Sequence, residues 1–266
     1  MGAAVRSEFL KFFTTRLWWG MAIGIFLAGA VFAALFGLLL TGDQAGAGGV
    51  GGIPTGDAVQ IASSVYVGGL SVGYLLLLTI GVLQVGSEYR HKTISGTFLA
   101  TPNRLEAMLA KVVALLGLGA LYGLISLLGS VGVGAAILTV RDQDPFPSTT
   151  ILRTLALSLL VLGLWGLIGL GIGILIPHQV AALLIGIGVA WIVEPLLGVA
   201  MNFWEFGREN VAKFLPSSAT NAVVDAVQNN PDEVRLSWWA AALVLAAYAA
   251  LLSGFGIWRT ARQDVT

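Results

Sequence analysis

WWGMAIGIFLAGAVFAALFGLLLT, residues 18–41, decides the fold. It runs 24 residues without a charged side chain. As a helix rising 1.5 Å per residue it reaches roughly 36 Å, enough to cross the ~30 Å hydrocarbon core of a bilayer. Working outward, five further stretches meet the same length requirement: Ala58–Gly86, Ala107–Val140, Leu152–Ile176, Val180–Met201 and Trp238–Trp258. The second and third spans are longer than a bilayer needs, so they must tilt, kink or extend past it. Composition agrees. Of the 266 residues 57% are hydrophobic and 11% charged, with a mean hydropathy of +0.88. A soluble domain carries about 25% charged residues, and so few charges cannot cover a globule of this size. The chain therefore reads as an all-α integral membrane protein, a single domain over 1–266 with six transmembrane helices.

Several function classes fall away at once. There is no cysteine and only two histidines, His91 and His178, so no disulfide, thiolate or histidine-rich metal site is expected. The formal net charge of zero gives no footprint for a nucleic acid. No G-x-x-x-x-G-K-[ST] phosphate loop and no H-E-x-x-H zinc motif occurs. The opening MGAAVRSEFLKFFTTR carries charges through to Arg16, and the apolar run behind it is too long for a signal-peptide core.

Lysine and arginine set the orientation. With the N-terminus cytoplasmic, nine lie inside (Arg6, Lys11, Arg16, Arg90, Lys92, Arg104, Lys111, Arg259, Arg262) and five outside (Arg141, Arg153, Arg208, Lys213, Arg235). Six spans place both termini on that one side. The expected location is the cytoplasmic membrane, and the Ala/Gly/Leu-rich, lysine-poor composition suggests a bacterium.

The connections differ in character. Gly42–Asp57 is a glycine-rich outer linker. Pro177-His178-Gln179 is a tight inner hairpin, with His178 as a turn residue. Over 1–17, Val5, Phe9, Phe12 and Phe13 recur at helical spacing among charges, the pattern of a helix lying in the headgroup plane, and Trp18 and Trp19 mark the interface. Two loops are large enough to act: 87–106 inside and 202–237 outside.

The inner loop contains SEYRHKTI (87–94) and TFLATPNR (97–104). His91, Ile94 and Phe98 share one helical face, and Thr101 and Pro102 are suited to cap and open the next helix. This pattern, followed by Lys111 at the opening of the third span, resembles the type-2 ABC transporter permeases, the six-span subunits of ATP-driven exporters. In that family the segment between spans 2 and 3 is a coupling helix that docks on the ATPase. The resemblance assigns this role to Glu88, Tyr89, Arg90, His91, Lys92, Thr93, Ile94, Thr97 and Phe98. Lys92 stands where many relatives carry glycine. The resemblance further implies a separate cytoplasmic ATPase subunit in two copies, which would bind ATP and Mg, and a permease homodimer surrounded by lipid. This chain itself would bind no cofactor.

A transport path would be lined by weakly polar residues: Gln60, Ser64, Tyr66, Ser71 and Tyr74 on span 2, with Ser126 and Ser130 on span 3. The spans hold no ladder of basic residues and no paired carboxylates deep in the bilayer, as a channel or proton pump would need. Such a lining suits an apolar or amphipathic substrate: a drug, antibiotic, peptide or lipid. Glu194, followed by Pro195 in span 5, is the exception. It is read either as a cap near a broken, re-entrant helix or as a gate or substrate contact. The alternative function is a secondary transporter using Glu194 as an ion or proton site. Small-x-x-x-small pairs at Gly69/Gly73, Gly119/Gly123 and Gly169/Gly173 suit close helix packing, within the chain or at a dimer seam. In the outer loop, Val211–Leu215 and Ala222–Val227 suit short helices dipping into the outer leaflet.

Overall fold

The computed structural model describes residues 1–42, 57–93, 96, 103–225 and 234–262. All regular structure among the described residues is helical. Six helices are long and apolar enough to cross a membrane: Leu17–Thr41, Ala58–Arg90, Arg104–Val140, Thr150–Leu175, Gln179–Met201 and Trp238–Thr260. This is consistent with a multi-pass membrane protein.

The chain opens with α1 (Gly2–Phe13), then α2 (Leu17–Thr41) forms span 1. Span 2 consists of α3 (Ala58–Val67) and α4 (Leu70–Arg90). Of the tilt, kink or extension open to an over-long span, span 2 shows an interruption at Gly68-Gly69, where it crosses span 1. A Cβ at Gly69 would come within 2.7 Å of the Ala28 carbonyl oxygen, so only glycine allows the two backbones to meet there. Span 3 is α5 (Arg104–Val140) and span 4 is α6 (Thr150–Leu175). His178 caps α7 (Gln179–Gly188), its Nδ1 accepting from the Ala181 N–H at 3.2 Å, in keeping with a turn residue.

Span 5 runs through as one span, Gln179–Met201, and the broken, re-entrant alternative is not what is found. Pro195 does not break it. A π-helical turn, Val189–Val193, carries the chain from α7 into α8 (Glu194–Asn202), with Pro195 in the first turn of α8. Proline lacks an N–H and crowds the carbonyl four residues before it. The wider turn just ahead absorbs that crowding, so the helix runs on through the span. Glu194 accordingly lies inside span 5, roughly 22 Å along the helix from Gln179 at 1.5 Å per residue.

Loop 202–237 also differs in register. After a π turn (Gly207–Val211) and a 3₁₀ turn (Ala212–Phe214), α9 spans Pro216–Val223. Of the two expected short helices, Val211–Leu215 holds only the 3₁₀ turn, and Ala222 and Val223 of the second close α9, while Ala226 and Val227 lie outside the described residues. α9 starts where it does because Pro216 fits the first helical turn and Leu215 ahead of it is extended. Ala219, Thr220, Ala222 and Val223 are buried. The chain returns through α10 (Trp238–Arg262), span 6.

Spans 2 and 4 form the centre. In their most apolar stretches 61% and 67% of residues are buried, against 28%, 22% and 33% for spans 1, 5 and 6. The outer spans show the reverse of a soluble surface, with Ile23, Leu27, Val31, Leu35 and Leu38 of span 1 exposed in a helical stripe. All three small-residue pairs are used inside the chain. Gly119 faces Gly163 of span 4, Gly169 lies against the backbone of Leu78 in span 2, and Gly73, Gly123 and Gly173 meet Leu162, Leu159 and Val82. Since lipid is as apolar as leucine, such close backbone contact is what holds helices together in a bilayer.

Candidate functional site

At the end of the bundle where α1, span 2 and span 3 meet, four charged side chains close a ring. Lys111, on the second turn of span 3, donates to Glu8 Oε2 at 2.9 Å and to Glu88 Oε1 at 2.8 Å. Lys11 donates to Glu8 Oε1 and Glu88 Oε1, both at 2.7 Å. Lys111 is wholly buried, and Glu8 and Glu88 are 4% and 5% exposed. Two ammonium groups balance two carboxylates, which is the condition under which charges tolerate burial. Burial alone would lower the Lys11 pKa. The hydrogen bonds and charges of Glu8 and Glu88 outweigh it and hold Lys11 above its ordinary value of 10.5.

The ring explains the seating of α1. Its buried face centres on Glu8 and Phe12, not on the run of aromatics, and Leu10 and Phe13 point outward. Phe12 packs edge-on against Tyr122 of span 3 at 5.9 Å, and the Tyr122 hydroxyl donates to the Trp18 carbonyl at 2.7 Å. Phe9 lies over Gly117. Sequence reasoning singled out Glu88 and Lys111 but missed Glu8 and Lys11 as their partners. Two signals were present: Glu8 sits on the apolar side of α1, between Val5 and Phe12, and Lys111 interrupts an apolar run where an unpaired charge is costly.

Beyond the ring, span 2 ends in a turn. The His91 N–H bonds the Ser87 carbonyl at 3.0 Å, the Thr93 N–H bonds Glu88 at 2.9 Å and the Lys92 N–H bonds Tyr89 at 3.3 Å. This Schellman pattern places Lys92 at φ 55°, the left-handed conformation that glycine adopts freely. Lys92 therefore makes the same stop that a glycine would make. The His91 Nδ1–H donates to the Ser87 carbonyl at 2.8 Å. Arg90, His91, Lys92 and Thr93 are exposed and Tyr89 is half-buried. Ile94, Thr97, Phe98, Thr101 and Pro102 lie outside the described residues. The helix entering span 3 begins at Arg104, later than Pro102. Its cap is Asn103, whose side-chain oxygen accepts from the Leu105 and Glu106 N–H groups.

The path candidates divide. Tyr66 is committed to packing: its hydroxyl donates to the Pro145 carbonyl at 2.8 Å and its ring stacks on Phe146. Gln60 is exposed, while Ser64 and Ser71 are half-buried. Ser126 and Ser130 are buried, 7% and 2% exposed. Tyr74 and Glu194 converge on α9 by different routes. Tyr74 stacks on Trp165 at 4.2 Å, and the Trp165 Nε1–H donates to Thr220 Oγ1 at 2.8 Å. The Glu194 carboxylate accepts from the Ser217 N–H in the first turn of the same helix. A carboxylate at a helix N-terminus satisfies free N–H groups and meets the positive end of the helix dipole. Trp165, Ser217 and Thr220 were not legible as partners of span 2 or span 5. No family model matches the chain, and neither does any curated protein.

Proposed function

We propose that this chain is the transmembrane permease subunit of an ATP-driven ABC exporter, moving an apolar or amphipathic substrate out of the cytoplasm or its inner leaflet. What supports the reading is the charge ring beneath loop 87–106. A helix that transmits the closure of an ATPase must push on something stiff. Here the loop leaves span 2 just after Glu88 and enters span 3 within two turns of Lys111, and those two residues are salt-bridged at 2.8 Å. Displacement of the loop would therefore move spans 2 and 3 and α1 as a unit. Tyr74, through Trp165 of span 4, and Glu194 directly connect to α9 at the far end and would relay the movement of spans 2 and 5 to the outer loop.

On this reading α1 is an interfacial helix, loop 87–106 carries the coupling helix, and both termini face the cytoplasm of a bacterial cell. Two permeases assemble with two ATPase subunits that bind ATP and Mg. Secondary transport through Glu194 would need a carboxylate able to exchange an ion. The Glu194 carboxylate is engaged by the Ser217 backbone, so the permease reading is preferred.

The test is a pull-down of the tagged chain from its native membrane in mild detergent, with ATPase activity assayed on the eluate. An ATPase subunit should co-elute. Arg90→Ala, which alters an exposed residue outside the ring, should lower the co-eluting activity about tenfold, equivalent to about 1.4 kcal/mol of docking energy. A chain that elutes alone, with no ATPase activity, sinks the coupling assignment.

A further inference from the structure

Beside the charge ring, between α1, the end of span 2 and the start of span 5, lies a half-open cavity of about 240 Å³. At about 30 Å³ per water, that is room for about eight waters, or for a small cationic headgroup with the first part of its chain. Its walls are of two kinds. Phe12, Leu17 and Leu83 make an apolar side, and Glu8, Lys11, Gln84, Ser87, Glu88 and Gln179 make a polar one. Gln84 and Gln179 each carry a buried side-chain oxygen with no hydrogen-bond donor among the described residues. Among the described residues that line it, the polar wall holds two carboxylates, Glu8 and Glu88, and one cationic side chain, Lys11.

The two lysines of the ring are not equivalent. Lys111 reaches the carboxylates from the protein interior and has no exposed surface, whereas Lys11 lies on the cavity side with 44% of its side chain exposed. Lys11 sits on a flexible stem at the end of a short helix, and its ammonium can leave for solvent without breaking the Lys111 bridges. Its departure leaves the Lys111 ammonium bridging Glu8 and Glu88 from the interior, with an apolar-walled opening on their other side.

We infer that this cavity binds the ammonium headgroup of an amphiphile from the leaflet that holds α1, with the ligand's ammonium replacing that of Lys11 between Glu8 and Glu88 and its chain lying along Phe12, Leu17 and Leu83. The site is a property of this chain alone and does not depend on the permease reading, so ATPase co-purification and this binding can fail separately. The ammonium can come from a single-chain amine or from an ethanolamine lipid.

Calorimetric titration of the purified full chain in phosphatidylcholine nanodiscs with octylammonium, octanol and octyl sulfate tests the inference. Octylammonium is expected to bind saturably at one site per chain, with the other two showing only partition into lipid. Ser87→Phe, which fills the cavity and leaves the four charges in place, should abolish saturable binding. Lys11→Met removes the competing ammonium and should lower the octylammonium Kd about tenfold. Equal behaviour of octylammonium and octanol overturns the inference, as does a Lys11→Met chain that binds octylammonium no better than the original. Should Lys11→Met fail to fold, the comparison of the original chain with Ser87→Phe still decides. Replacing phosphatidylcholine by phosphatidylethanolamine separates the two sources. A raised apparent Kd identifies the lipid as a competing occupant, and an unchanged Kd identifies the single-chain amine.

Discussion

Lys111 is the residue on which the end of the bundle that holds α1 depends. It has no exposed surface and holds Glu8 and Glu88 from two other helices. Removing one member of a buried ion network strands the rest, at a typical cost of about 3–5 kcal/mol. Lys111→Met is therefore expected to destabilise the chain by about that amount in detergent unfolding, and pairing it with Glu8→Gln should recover part of the loss by restoring charge balance. Lys11 adds a pH signature to the same assay. Its folded-state pKa is raised above 10.5, so its contribution to stability is fully present below about pH 10.5 and is lost as pH rises through the folded value. Unfolding midpoints of the original chain should fall over that alkaline window more than those of Lys11→Met.

At the scale of elements, two helix ends and one helix interior carry the lesson. Span 2 stops at Lys92 in a left-handed conformation, which costs a side-chain-bearing residue about 1–2 kcal/mol. Lys92→Gly should relieve that strain and raise the stability of the chain by about 1 kcal/mol, read as a higher unfolding midpoint. A lower midpoint would show that the lysine side chain contributes more than its backbone strain costs. The stop matters because Glu88 and Tyr89 accept the two bonds that close it, so the end of the turn and the charge ring share residues. In span 5 the π-helical turn ahead of Pro195 keeps Glu194 within the helix and directs it to Ser217. The proline signal was legible, but its outcome was not. A proline can break a helix or be accommodated in it, and the neighbouring α9 gives Glu194 a partner that favours the second.

For the whole molecule, the absence of cysteine makes topology directly measurable. Single cysteines at two exposed positions, Thr14 after α1 and Gln143 between spans 3 and 4, place one reporter at each end of the bundle. With both termini cytoplasmic, a membrane-impermeant maleimide applied to intact cells should label the Gln143→Cys chain and leave the Thr14→Cys chain unlabelled until the membrane is opened. The reverse pattern would invert the orientation and move loop 87–106 out of reach of a cytoplasmic ATPase.

The number, order and approximate limits of the six spans are written in the sequence, because a bilayer imposes a one-dimensional requirement: about 20 apolar residues in succession. The excess length of span 2 called for a tilt, a kink or an extension past the bilayer without saying which. Pairing is not one-dimensional. Glu8, Lys11, Glu88 and Lys111 lie up to 103 positions apart, and Tyr74, Trp165 and Thr220 belong to three separate elements. Sequence could say that a buried lysine or carboxylate needs a counter-charge or a donor. Which group supplies it depends on which elements can approach each other, and only the packed structure decides that, with glycine contacts drawing spans 1 to 4 together and Phe9 over Gly117 seating α1 on span 3.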